Sequence, residues 1–157
     1  LFVWRAGDAI VVCDIDGTIT QTDVRGFVDS AGVCDFFERC VAPKAHVLYL
    51  TSRPLTLVTQ TRGFVKSLRQ PRTAAGASAA AMPRGPVLTS REGVLGALYC
   101  ELVTQRPDVF KTAALRDVCA AFGDGARPFR AGFGNKDTDA CAYARAGVRA
   151  NAIFCID

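Results

Sequence analysis

The sequence predicts a doubly wound α/β fold built on a parallel sheet. Two observations carry this. The strand candidates, residues 9–13, 47–50, 129–133 (broken by Arg130) and 153–156, are continuous apolar runs rather than alternating ones. Such runs suit strands covered on both faces. Helical patterns lie between them, and strands alternating with helices form an open sheet with helices on each side.

The helices are read from their starts, stripes and stops. Residues 55–69 follow Pro54, a favoured helix-initiating residue. Residues 92–105 carry Val94, Leu95, Leu98 and Leu102. In residues 108–122, Leu115, Val118, Cys119 and Phe122 fall at i, i+3, i+4 and i+7. Residues 138–146 end before Gly147, a helix stop. Residues 70–84 are alanine-rich with prolines on both sides, so a surface loop is expected there rather than a domain linker. The 157 residues fit one domain, residues 1–157, and no internal repeat is present.

Composition narrows the function classes. With 50% hydrophobic and 22% charged residues the chain has ordinary globular values. No apolar run has the length of a membrane-spanning helix, and Arg5 and Asp8 interrupt the apolar Leu1–Trp4 start too soon for a signal peptide. The missing initiator methionine leads us to expect a fragment or a processed chain. Seven cysteines, an odd number without a C-x-x-C pair, favour reduced, buried thiols in an intracellular protein. The single histidine, His46, opens an apolar run and is read as a strand-edge residue, which argues against a His-rich metal site or a Ser-His-Asp triad. The net charge of +4 favours an anionic membrane surface or a phosphorylated ligand. No basic run or repeat points to nucleic acid.

The chemistry starts at Asp14-Ile15-Asp16-Gly17-Thr18, directly after the first strand. A D-x-D-G-T match by chance is roughly a one-in-a-thousand event at this length. Ligands of open α/β sheets bind beyond the carboxyl ends of the strands, where this pair falls. Two carboxylates one residue apart can share Mg²⁺, which takes oxygen ligands and keeps water and phosphate in its shell. Asp14 can attack phosphorus to form an aspartyl-phosphate. Asp16 can protonate the leaving alkoxide and then activate water.

Other stretches add to this. Thr51 follows the second strand, with Ser52 as its alternative and Arg53 adjacent; a helix N-cap before Pro54 is the other reading. Lys111 stands four residues before Leu115 on the same core-facing stripe, so it needs an anionic partner or must snorkel. Asn135 and Asp139, after the glycine-flanked Phe133, read in isolation as a capped strand-to-helix turn; taken with Asp14 and Asp16 at a neighbouring strand end, they offer oxygen ligands to a metal.

These stretches, in this order, resemble the haloacid-dehalogenase superfamily and, more narrowly, the C-terminal catalytic domain of lipin-type phosphatidate phosphatases. The residues that carry the resemblance are 12–20, 48–54, 61–67, 84–88, Phe110-Lys111 and 131–139, with Ala142-Tyr143 and Gly147-Val148. The resemblance covers nearly the whole chain. It implies a Rossmann-like core and Mg²⁺-dependent conversion of phosphatidic acid to diacylglycerol. Asp14 would be the nucleophile and Asp16 the acid/base, with Thr18 also in the catalytic set. Thr51, Ser52 and Arg53 would bind phosphate, and Lys111 would clamp its charge. Asp14, Asp16, Asn135 and Asp139 would face the metal. Family members work in the cytosol and dock on endoplasmic-reticulum membranes, and some enter the nucleus.

There are departures. Residues 24–44 are shorter than the family leads us to expect, and Val24-Arg25-Gly26-Phe27-Val28 does not match its leucine-rich coactivator motif. Lys136 stands where arginine is expected, and we place it among the substrate contacts. The N-terminal lipin segment is not in this sequence, so it would have to act in cis or in trans. Two other functions compete: a non-catalytic lipid-binding module like that of certain phosphatidylinositol-transfer proteins, and a phosphatase of soluble phosphomonoesters.

Overall fold

The computed structural model describes residues 1–20, 32–41, 44–72, 78–90 and 107–156. Five parallel strands form the main sheet: β1 (Ala9–Asp14), β2 (Ala45–Pro54), β5 (Val87–Ser90), β6 (Phe129–Gly134) and β7 (Ile153–Cys155). Their spatial order is β5-β2-β1-β6-β7. The chain thus builds outward from β1 through β2 to β5, then returns and builds the other way through β6 to β7. The reversal falls between β1 and β6, and it opens a crevice at their carboxyl ends.

Helices cover both faces. Helices α1 (Val33–Val41) and α2 (Val58–Ser67) occupy one face, and α3 (Pro107–Ala121) and α4 (Asp137–Arg145) the other. Strand residues alternate between the two sides. Val11, Cys13, Val47, Tyr49 and Phe133 pack with Phe37 of α1 and Val65 of α2. Ile10, Val12, Leu48, Leu50 and Phe129 pack with Leu115 of α3 and Tyr143 of α4. This two-sided burial is why these strands read as unbroken apolar runs, and the fold is the Rossmann-like α/β class that the sequence predicts.

The differences are local. Strand β5 and helix α1 are additions to the elements expected from the sequence. Residues 55–57 form a 3-10 turn before α2 begins at Val58. Residues 70–84 are not simply a surface loop. Arg69–Gln70 (β3) pairs antiparallel with Ala80–Ala81 (β4), and Gln70, Ala80 and Met82 are buried. This ribbon docks on α1. Gln70 Oε1 accepts the Cys34 N–H at 3.1 Å, Glu38 accepts the Ala81 N–H at 2.9 Å, and Arg72 pairs with both Asp35 and Glu38. The helix expected over residues 92–105 and the non-matching motif at residues 24–28 lie outside the described residues.

Among the described cysteines all are free, but burial is uneven: Cys13 and Cys34 are buried, whereas Cys141 and Cys155 are exposed. His46 is near the start of β2, stacked on Trp4 and paired with Asp8 at 3.1 Å, at the end of the sheet away from Asp14. No helix among the described residues is long and apolar enough to cross a membrane.

Candidate active site

The site forms where β1 and β6 end. Asp14 is the last residue of β1 and is 2% exposed. The chain then turns sharply. Thr20 Oγ1 accepts the Gly17 N–H at 3.0 Å and donates to the Ile15 carbonyl at 3.2 Å, which closes the loop. Gly17 sits at φ +84°, and a Cβ there would lie 2.0 Å from the Asn135 side-chain nitrogen. Only glycine lets this loop close over Asn135.

Lys111 links the two halves of the site. Its Nζ donates to Asp14 Oδ1 at 2.5 Å and to Asp139 Oδ1 at 2.6 Å, with all three side chains buried. The anionic partner that the apolar stripe demanded is therefore supplied by the protein, from two elements. Burial pushes the Asp14 carboxyl up to about 7 against the pull of Lys111. Burial by itself would lower Lys111, but Asp14 and Asp139 outweigh it and hold the ammonium above its ordinary value. Lys111 is thus a firm cation, and Asp14 is a carboxylate short of compensating charge.

Asp139 has both carboxylate oxygens engaged at the strand-to-helix turn. Its Oδ1 accepts from Lys111, and its Oδ2 accepts the backbone N–H groups of Asn135 (3.3 Å) and Lys136 (3.2 Å). It caps the start of α4 and fixes Lys111, a positioning role that leaves it little coordinating capacity. A Cβ on Gly134 would lie 2.5 Å from the Asp139 Cβ, so this close approach also requires glycine.

Asp16 is held on the other side. Thr51 Oγ1 donates to its Oδ2 at 2.6 Å, and Arg53 donates to its Oδ1 through Nε at 2.8 Å and through its terminal nitrogen at 2.6 Å. Thr51 Oγ1 also accepts the Arg53 N–H at 3.1 Å. The structure brings Asp14, Asp16, Thr18, Thr51, Arg53, Lys111, Asn135 and Asp139 to one end of the sheet. Ser52 is half-buried beside Thr51, and Lys136 is exposed at the start of α4. Sequence reasoning missed Thr20 as the loop's clasp. The threonine two residues past the D-x-D-G-T motif was its only signal.

Two buried atoms bear on a metal. Asn135 Oδ1 and Thr18 Oγ1 have no hydrogen-bond partner among the described residues. An orphaned amide oxygen on the side chain that Gly17 closes over, with the Asp14 carboxylate at the same end of the sheet, is a donor set that suits a hard cation. No group of three or more His, Cys, Asp or Glu side chains among the described residues could hold a metal by itself. The donors present thus fit an ion such as Mg²⁺ that keeps water and substrate oxygens, and they do not fit a closed cage.

A Rossmann-like sheet with a buried carboxylate–lysine centre at its switch point defines the class of this protein. The chain belongs to the LNS2 (Lipin/Ned1/Smp2) family, whose model matches residues 1–157. It is similar over its whole length to phosphatidate phosphatase PAH1 of Arabidopsis thaliana at 35% identity. The same holds for phosphatidic acid phosphohydrolase 1 of Saccharomyces cerevisiae at 34%, and for phosphatidate phosphatase LPIN3 of Homo sapiens at 28%. It spans 18%, 20% and 19% of those proteins, about a fifth of each.

Proposed function

We propose that the protein is a magnesium-dependent phosphatidate phosphatase, converting phosphatidic acid to diacylglycerol through an aspartyl-phosphate on Asp14. The observation that carries this is the Asp14 carboxylate, buried at the end of the central strand and held 2.5 Å from the Lys111 ammonium. The names of the relatives support the substrate.

In this reading an Asp14 oxygen attacks phosphorus and the ester P–O bond breaks, leaving an alkoxide that takes a proton from Asp16. Asp16 then removes a proton from water, the resulting hydroxide attacks phosphorus, and the Asp14–phosphorus bond breaks to release phosphate. Lys111 offsets the charge of nucleophile and phosphoryl group, and Asp139 keeps it in place. An incoming phosphate dianion competes for Thr51 and Arg53, which frees Asp16 to carry a proton. The buried Thr18 hydroxyl donates to a phosphoryl oxygen. Asp14 and Asn135 Oδ1, with Asp16 nearby, would hold Mg²⁺, which supplies charge neutralisation and Lewis acidity at the phosphoryl oxygens.

The substrate would be met on a membrane surface, where the protein sits peripherally, as on the endoplasmic reticulum. The exposed Leu1, Phe2 and Val3 and the +4 charge suit that surface.

The test is phosphate release from phosphatidic acid in mixed micelles, with Mg²⁺ or with chelator, beside glycerol phosphate in solution. We expect Mg²⁺-dependent release that favours the lipid and falls by several orders of magnitude in Asp14→Asn. Near-parental activity of Asp14→Asn rejects the nucleophile, and full activity in chelator rejects the metal. An equal specificity constant for glycerol phosphate rejects the lipid substrate.

A further inference from the structure

We propose that the protein carries a second anion site, at the amino-terminal end of the sheet, where Arg127, Arg130 and Arg149 take a phosphate-bearing ligand. A cavity of about 450 Å³ opens there, between the turn leading into β1, the segment leading into β6 and the turn after α4. That volume is in the range of small-ligand sites. All three arginines line it, and none has an ion-pair partner among the described residues.

Asp8 is the one acidic residue among those lining the cavity. Its Oδ2 is already engaged, accepting the Arg5 N–H at 2.8 Å and meeting His46 Nε2 at 3.1 Å. The three guanidinium groups therefore outnumber the charge available to offset them. Such a concavity concentrates anions, and the planar fork of arginine matches phosphate oxygens two at a time.

The backbone adds an independent sign. Ile10 pairs with Phe129 and Val11 with Ala131, so Arg130 is an extra residue that bulges out of the β1–β6 ladder. Bulges re-aim side chains, and this one carries an exposed arginine at the cavity. β1 runs from the cavity at Ala9 to Asp14. At about 3.3 Å per residue this separates the two sites by roughly 17 Å, so the second site is not part of the catalytic centre.

The phosphate could come from a soluble phosphorylated molecule or from a phospholipid headgroup. Two measurements separate these sources. In the first, pyrophosphate is titrated into the isotope-labelled protein in chelator and amide resonances are followed. In the second, the protein is sedimented with phosphatidylcholine vesicles with and without phosphatidylglycerol. We expect pyrophosphate to shift the amides of Gly7, Arg130 and Gly147 as a set distinct from those around Asp14 and Asn135. Arg130→Gln/Arg149→Gln should weaken binding at the first set by at least about tenfold and leave the second set unchanged. A soluble source gives this saturating response without vesicle binding. A headgroup source gives sedimentation with phosphatidylglycerol that the double variant loses. Shifts confined to the catalytic set, together with equal sedimentation of both proteins, overturn the proposal. If the double variant does not fold, Arg127→Gln, on the exposed segment before β6, is read by the same criteria.

Discussion

Replacing Lys111 with methionine keeps a long side chain in its buried position and removes the charge. The ammonium lies 2.5 Å from Asp14 and 2.6 Å from Asp139, so the two carboxylate oxygens it joins are no more than about 5 Å apart. Without it, two buried carboxylates face each other. At an effective dielectric of about 20 their repulsion is roughly 3 kcal/mol, and removing one partner of a buried pair generally costs about 3–5 kcal/mol. Protonation of Asp14 relieves the strain.

The folded-state value of Asp14, about 7, already exceeds its ordinary 3.8. The native state therefore holds a proton that the unfolded state has released, and this group's contribution to stability falls as pH rises from about 4 to 7. Loss of Lys111 raises Asp14 further and extends the decline above pH 7, by about 1.4 kcal/mol for each added unit. Urea unfolding in chelator, followed by circular dichroism, should show Lys111→Met about 3–5 kcal/mol less stable than the parent at pH 8.5 and distinctly less affected at pH 5.5. A loss below about 1 kcal/mol at pH 8.5, or the same loss at both pH values, would refute the reasoning.

Two more predictions concern the loops that shape the site. Gly17→Ala puts a methyl group 2.0 Å from the Asn135 amide on a backbone at φ +84°. It should lose about 1–3 kcal/mol in the same unfolding assay and lower phosphate release; unchanged stability would mean that the loop does not close on Asn135. Arg53→Lys keeps the charge but not the fork that grips Asp16 through two nitrogens. It should reduce kcat/KM by about tenfold or more, and parental kinetics would remove Arg53 from the phosphate site.

Much of this protein could be read along the chain. Strands β1, β2 and β6 announce themselves because covered strands need apolar residues on both faces; β7 reads as an apolar run too, although it ends the sheet with Phe154 and Cys155 exposed. β5, a four-residue edge strand ending in Thr89 and Ser90, lacks such a run. Helix α1 had a signal in Val33, Phe37 and Val41, but Asp35, Glu38 and Arg39 interleave it in a nine-residue span. The D-x-D-G-T loop was legible because its two carboxylates and its glycine lie within five consecutive residues. Lys111 was legible only as a charge on an apolar stripe.

What the tertiary structure decided is who partners whom. Lys111 meets Asp14 across 97 residues and Asp139 across 28, while Arg53 reaches Asp16 across 37. The sequence offered Asp139 as a helix cap or as a metal-side oxygen, and the folded chain adds what neither reading named, the contact of its Oδ1 with Lys111, while its Oδ2 accepts at the start of α4. Local pattern reports which residues must be buried and where the backbone must turn, because burial and backbone geometry act over a few neighbouring positions. Charge pairing is set by distances that exist only once the strands are laid side by side, so no reading along the chain could assign it.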